Sequence, residues 1–338
     1  MTRRELLVSA AALAALPSLG AGARKPLPAS ARNRRPYGAV DWATCRRIVT
    51  TSHGHCTTEK HLSYYLQHGF GLLAASNYYP SAPWKPPKGW VPSDVLQAPN
   101  AEHHSFYLDN GKLDKFIHLC APGSSWTSGD KKNGCNLPWR TAIDKMLAAL
   151  VCPDGGGVTI NHPTWTNLDR ALMLEMLDYD PRVLGCEVME NGHNSECYWD
   201  WALSTGRQCY GFFVPDWGYW QKDFGANVLL VGETTLEACL KAYRQGDFYG
   251  SLHALDELRF TKIAFDGKIL TAETDKLAKF QVITARGVVQ ETTGRAVTWS
   301  VPKKADWTGP GVEVFARVKA FATDGTGEIL WSQPFMLT

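Results

Sequence analysis

The chain has 338 residues, of which 44% are hydrophobic and 20% charged, with a formal net charge of +2. That apolar content can bury a large core, which excludes a disordered chain and leaves room for one large domain and a small one. Part of the positive balance sits at Arg3, Arg4, Arg24 and Lys25, and no basic stripe remains to suit a nucleic acid.

The first element is Arg3-Arg4 followed by an apolar run to Leu19 and the small residues Ala21-Gly22-Ala23. It reads as a cleaved twin-arginine export signal over residues 1–23, which predicts a periplasmic or secreted protein. The alternative is a membrane anchor. The apolar run is about 15 residues, short of the roughly 20 that span a bilayer, and Pro17 interrupts its end. No later segment is long and apolar enough to span, so no membrane association is expected once the signal is removed. Residues 24–41, rich at first in Pro, Ala and Arg, read as a linker.

From residue 42 to 255, short apolar runs recur between helix-like segments. The strand candidates are Ile48–Thr51, Gly71–Ala75, Ser105–Leu108, Phe116–Leu119, Gly157–Ile160, Val183–Val188 and Tyr210–Val214. Helices are predicted at Thr58–His68, Pro138–Leu150, Asn167–Leu177 and Thr235–Gln245. This alternation implies an α/β domain built on a parallel sheet or barrel. Beyond it, residues 256–338 change to short alternating strands with Gly and Asp turns, the pattern of a small all-β sandwich.

Nine Cys are scattered without a CxxC pair, so a zinc site built on thiolates has no support. Cys120 and Cys186 lie inside apolar runs and read as small buried hydrophobes. The metal-competent side chains instead are His53 and His55 after the first strand, His162 after the fifth and Asp216 after the seventh. Glu102 and His118 lie beside the third and fourth runs. In an α/β barrel the carboxyl ends of the strands converge on one face, where residues distant in sequence can meet. Taken singly, each has a plainer use: His162 in Asn161-His162-Pro163 suits a turn, and Asp216 suits a helix cap. Histidines with carboxylates and no Cys at matching positions favour zinc, manganese or iron.

Thr51-Ser52-His53-Gly54-His55-Cys56-Thr57 resembles the opening His-x-His motif of the PHP (polymerase and histidinol phosphatase) superfamily. Ile160-Asn161-His162-Pro163 is similar to its internal His-Pro segment. Val214-Pro215-Asp216-Trp217-Gly218 falls where the family carries Asp-x-His, and Gly232–Tyr249 is similar to the last helix of bacterial members. The resemblance spans roughly residues 42–255, and Ile329–Phe335 resembles the closing strand of the β-sandwich that follows in some exported members. It implies a distorted (β/α)7 barrel, a metal-dependent hydrolase with phosphoesterase as the default, and two divalent ions or one. By the family pattern His53, His55, Glu102 and Asp216 surround one ion, and Glu102, His118 and His162 its neighbour. Asp216, His162 and Glu102 are thereby the candidate catalytic residues. His103 or His104 stands as an alternative to Glu102, and His61 is spaced as a third-metal ligand in some members.

Two motifs depart from the family. Its Asp-His segment reads Ser76-Asn77-Tyr78-Tyr79 here, and Gly218 stands where the last His belongs. Both changes remove ligands of the family's third metal, which leaves room for a second expectation: a degenerate fold that binds a glycan or other ligand without turnover. Tyr78 and Trp217, with Asn191, are candidate contacts to a small-molecule substrate that is phosphorylated or sugar-like. Tyr79, Trp84, Trp165, Trp199 and Trp220, near other strand ends, are read with Tyr78 and Trp217 as walls of a pocket that suits a sugar ring or an aromatic leaving group. Glu190, His193 and Asn194 follow the sixth strand and suit substrate or solvent equally. The proline-rich stretch from Tyr79 to Pro99 has the length of a covering loop.

Overall fold

The computed structural model describes residues 35–78, 83–129, 134–190, 192–217, 225–252, 258–303 and 313–337. The expected signal, most of the linker, Tyr79, Asn191, Gly218 and Trp220 lie outside these residues. Among the described residues no helix is long and apolar enough to cross a membrane.

Among the described residues the first elements are β1 (Arg46–Thr50) and α1 (Glu59–Gln67), where the Thr58 hydroxyl accepts the His61 N–H and ends the preceding loop. β2 (Phe70–Leu73) and β3 (Leu96–Gln97) follow. β4 (Glu102–Tyr107) and β5 (Leu113–Cys120) form a hairpin through a turn at Asn110-Gly111, with Gly111 at φ 77°. Then come α2 (Trp139–Ala148), β6 (Val158–Ile160), α3 (Arg170–Tyr179), β7 (Val183–Glu190), β8 (His193–Asn194) and α4 (Glu196–Ser204). β9 (Tyr210–Val214), β10 (Gly225–Val231), α5 (Leu236–Gln245) and β11 (Phe248–Leu252) complete this part. β12 (Phe260–Phe265), β13 (Ile269–Thr284), β14 (Gly287–Ser300), β15 (Phe315–Ala322), β16 (Ile329–Trp331) and β17 (Phe335–Met336) close the chain.

The result is a mixed α/β architecture of two sheets. One runs β12-β13-β15-β16-β11-β10-β1-β2-β3, with β14 on β13 and β17 on β15; the other runs β4-β5-β6-β7-β8, with β9 on β7. Pairing is parallel at β1–β2, β2–β3, β6–β7 and β7–β9. It is antiparallel at β4–β5, β5–β6, β1–β10 and β10–β11, so the sheet is less parallel than the alternation of elements suggests. A tight turn forces the first of these reversals, because only a crossover connection can return a strand parallel.

The two sheets meet at one end. Gly54 and Asp216 form a bridge there, with the His55 N–H donating to the Asp216 carbonyl at 3.2 Å and the Asp216 N–H to the His53 carbonyl at 3.3 Å. Beside it the Glu102 N–H reaches the Ser76 carbonyl at 2.8 Å. The Asn100 amide donates to the carbonyls of Ser52 and Ala74 and accepts from the Ala121 N–H, tying three strand ends together. β1, β2, β5, β6, β7 and β9 all finish at this end, and β4 starts there.

The strands from β12 onward are antiparallel, as their alternation predicts, yet β16 pairs with β11 and makes them one sheet with the first part. One apolar core holds Phe315 and Trp331 together with Trp199, Phe213 and Leu252; another holds Val228 and Tyr249 with Phe260 and Phe280. The Gln333 side chain accepts the Gly211 N–H at 2.8 Å and donates to its carbonyl at 2.9 Å. Residues 253–257, where the sequence changes character, lie outside the described residues.

Candidate metal centre

Six donor residues read from the sequence converge at the junction of the sheets: His53, His55, Glu102, His118, His162 and Asp216. His53 and His55 follow β1, and both are buried. The residue between them is Gly54, where a Cβ would fall 2.4 Å from the Tyr65 hydroxyl. His162 lies two residues past the three-residue β6, and Asp216 two residues past β9. Both adopt left-handed backbone, at φ 28° and 46°. For residues with a Cβ this conformation costs about 1–3 kcal/mol and persists only where the surroundings over-determine it.

Four donor atoms face one another. His53 Nε2 is 3.1 Å from Glu102 Oε2, 3.0 Å from Asp216 Oδ1 and 3.4 Å from His55 Nε2. His55 Nε2 is 3.0 Å from Glu102 Oε2 and 3.1 Å from Asp216 Oδ1. Despite those distances Asp216 Oδ1 has no properly aligned hydrogen bond, as expected when donors aim at a common centre rather than at each other. The other Glu102 oxygen serves a second set, with Oε1 lying 2.7 Å from His118 Nδ1 and 3.2 Å from His162 Nε2.

The residues fit a metal. His53 Nδ1 lies 2.8 Å from Glu187 Oε1, and a carboxylate there requires the ring proton on Nδ1. In the neutral ring Nε2 is then a bare lone pair aimed at two carboxylate oxygens, an arrangement of acceptors that a cation resolves. A tetrahedral ion with bonds of about 2.0–2.2 Å separates its ligand atoms by about 3.3–3.6 Å. The His53–His55 edge of 3.4 Å falls in that range, and the four His–carboxylate edges of 3.0–3.1 Å fall just short of it.

Without an ion the histidines supply the positive charge. Burial alone depresses the pKa of His53, but Asp216, Glu102 and Glu187 outweigh it and hold the value well above the usual imidazole range. Burial likewise opposes the charge on His55, and its contacts with Asp216 and Glu102 raise it. For Glu102 burial favours the neutral acid, yet His53, His118 and His162 keep its pKa well below the ordinary carboxylate value. Asp216 is lowered in the same way, chiefly by His53 against the cost of burial.

Sequence reasoning leaves Glu102, His103 and His104 as alternatives, and the register of β4 separates them. Glu102 faces the centre. His103 turns away, accepting the Ser128 N–H at 3.3 Å and stacking on Trp126, and burial lowers its pKa to about 4. His104 stacks on His118 at 5.2 Å. His61 stays on α1, its Nδ1 3.2 Å from the Thr57 hydroxyl, and joins none of the donor groups.

Tyr78 and Trp217 pack on His55, with ring centroids 4.5 and 4.2 Å away. They brace a ligand candidate directly. Trp199, another aromatic read as a pocket wall, is fully buried and donates its indole N–H to the Cys209 carbonyl at 2.8 Å, so it belongs to the core. Trp84 packs with Leu62 and Tyr65.

Two acids on β7 complete the centre. Sequence reasoning misses Glu187, which sits inside a strand, although a carboxylate within Val183–Glu190, all buried, is itself a signal. Its Oε2 also accepts the His162 N–H at 2.8 Å. Glu190 is pushed to about 9 by burial and then by Asp216 and Glu187. It carries a proton at neutral pH for as long as those charges are uncompensated.

No protein-family model matches the chain, and no curated protein matches it. Among solved structures it is similar to a crystal structure from Bacteroides vulgatus ATCC 8482, described as a two-domain protein containing a predicted PHP-like metal-dependent phosphoesterase. The identity is 13% and the TM-score 0.46, over 90% of this chain and 96% of that one. So distant a likeness carries no functional argument, which leaves the donor geometry to carry one.

Proposed function

We propose that the chain is a metal-dependent hydrolase, most simply a phosphoesterase, working in a PHP-type barrel over residues 42–255 with a sandwich over 256–338. The observation that carries this reading is the division of Glu102, whose Oε2 faces His53, His55 and Asp216 while its Oε1 faces His118 and His162. A carboxylate so placed suits two cations, or one if the second set binds weakly. Zinc, manganese or iron suits these donors. Such ions, when bound, acidify water from a pKa of about 15.7 toward 7 and polarise a phosphoryl or acyl oxygen.

The chain's own residues supply the remainder. Glu187 fixes the proton on His53 Nδ1, and Tyr78 and Trp217 hold the His55 ring. Glu190 lies beside Asp216 and carries a proton in the metal-free chain. A cation on Asp216 would lower the Glu190 pKa, so the proton becomes easier to release as the site is filled. The substrate is a small molecule, and Asn191 remains a proposed contact. We further propose twin-arginine export to the periplasm or beyond.

A second reading, a ligand-binding protein without turnover, draws on the residues that replace the family's Asp-His motif. The Ser76 hydroxyl accepts the Gly54 N–H at 3.0 Å, and the Asn77 amide bonds both the N–H and the carbonyl of Cys56. These positions brace the His53–Cys56 loop and offer nothing to a third ion. One experiment separates the readings: metal analysis of chain purified without chelator, then a panel of phosphomonoesters, phosphodiesters and aryl esters. Bound metal near one or two per chain is expected, with turnover abolished in His53→Ala and Asp216→Ala. Glu187→Gln should retain the six donors read from the sequence yet bind metal about 10- to 100-fold more weakly. Metal without turnover on the whole panel would favour the binder, and turnover indifferent to both alanine variants would reject the site.

A further inference from the structure

Resting on the reading of the centre as a metal site, we infer that Trp165 is a stacking platform for a substrate that carries a six-membered ring with a stackable face on the oxygen to be cleaved. Among the described tryptophans it is the only exposed one, with 58% of its surface open. A ring of this size normally buries most of its area, and a chain gains nothing for folding by holding it in water.

The ring does not hang on a loose loop. The turn after His162 is pinned by the Thr166 N–H to the His162 carbonyl at 3.2 Å and the Leu168 N–H to the Pro163 carbonyl at 3.0 Å. On the outer side the Ser195 hydroxyl donates to the Thr164 hydroxyl at 2.7 Å and accepts the Thr164 N–H at 3.3 Å. Exposure is therefore built into a rigid segment.

Its position is specific. The indole stands edge-on to His162, with centroids 5.0 Å apart and planes at 83°, and to His118 at 5.8 Å and 79°. These are the two imidazoles that meet Glu102 Oε1. A ring laid on the indole face lies beside the second donor set, so a phosphoryl or acyl group attached to that ring can reach the centre. Tyr78 and Trp217 are occupied with His55, which leaves Trp165 as the aromatic surface available here among the described residues. The shared chemistry is a ring face that stacks on an indole, the π-face of an aryl group or the C–H face of a pyranose chair.

The test is equilibrium binding to the metal-loaded full chain, by calorimetry, of three phosphonates that cannot be hydrolysed: phenyl, glucosyl and methyl. A ring-bearing compound should bind about three- to ten-fold more tightly than methylphosphonate, the range that aromatic pairs contribute beyond buried area. Trp165→Ala should erase that preference with metal content and melting temperature unchanged, and Trp165→Phe should keep most of it. The larger loss, in the phenyl or the glucosyl arm, identifies the ring. Equal binding of all three to the parent chain, no binding of any, or a preference that survives Trp165→Ala overturns the proposal. Ring preference in a chain that turns over no phosphoester would instead count against the hydrolase and leave the platform standing.

Discussion

His53 concentrates the chemistry of the centre in one ring, because one nitrogen is committed to Glu187 and the other faces Glu102 and Asp216. In the metal-free chain both His53 and His55 have raised pKa values, that of His53 well above the usual imidazole range, so His53 holds a proton that a metal must displace. Metal loading at pH 7 is therefore expected to release protons, seen as a dependence of the calorimetric heat on the ionisation enthalpy of the buffer, and affinity should rise with pH. The stability of the metal-free form has the opposite slope. A raised histidine contributes its full stabilisation below the unfolded value of about 6.5 and loses it as pH climbs through the folded value. The melting temperature of the metal-free chain should thus fall above neutral pH, while the loaded chain stays flatter. Identical heats in all buffers would mean that neither histidine holds a proton for the metal to displace. At this scale the candidate donors were legible, since imidazole and carboxylate chemistry is a property of the residue. Glu187 was not, because its use depends on a ring that arrives from residue 53.

Between elements, the decisive joint links α4 to β15. Arg317 is buried with its guanidinium 2.8 Å from both Asp200 and Glu196, 4.6 Å over the Trp199 ring. Burial raises the pKa of Glu196, but Arg317 and Lys319 outweigh it and bring the value to about 2. A depressed carboxylate stabilises the fold above its unfolded pKa and ceases to do so as pH falls through the folded one. This joint should accordingly weaken between about pH 4.5 and 2. Arg317→Met leaves Asp200 without its partner and Glu196 with Lys319 alone, and should cost about 3–5 kcal/mol in denaturant unfolding, the usual result of breaking a buried pair. A loss below about 1 kcal/mol would show the pair to be as weak as an exposed one. Helices with clear caps were legible in outline: α1 and α5 begin within a residue of where Thr58 and Thr235 indicate. α3 starts later than predicted, at Arg170, because Asp169 caps it while Asn167 stays in a left-handed turn. α4 went unread because Glu196–Ser204 is rich in aromatics, which are poor helix formers. β10 went unread because all seven of its residues are buried and no alternation marks it.

Across the whole molecule the cores disregard the change in sequence character near residue 255. Phe315 and Trp331 fill the core of the α/β part, and Tyr249 fills that of the later strands. A chain ending at residue 255 is expected to lose cooperative thermal unfolding, since it would uncover both cores and the edge of β11. A melt as sharp as that of the full chain would instead establish an independent unit. The amino-acid sequence alone determined the features that local chemistry sets: the kinds of donor, the helix starts set by capping, the antiparallel character of the last strands, and the separation of His53, His55, His162 and Asp216 along the chain. Tertiary structure decided the features that depend on register and on partners far away. Strand alternation admits either Glu102 or His103 to the centre, and the pairing of Glu102 with Cys120 on β5 chooses between them. Whether an aromatic braces a ligand, fills the core or faces water was likewise open for Tyr78, Trp199 and Trp165 until the sheets closed around them. The physical reason is that capping and periodicity act over a few residues, whereas burial and opposed charges are set by whichever segments the fold brings together.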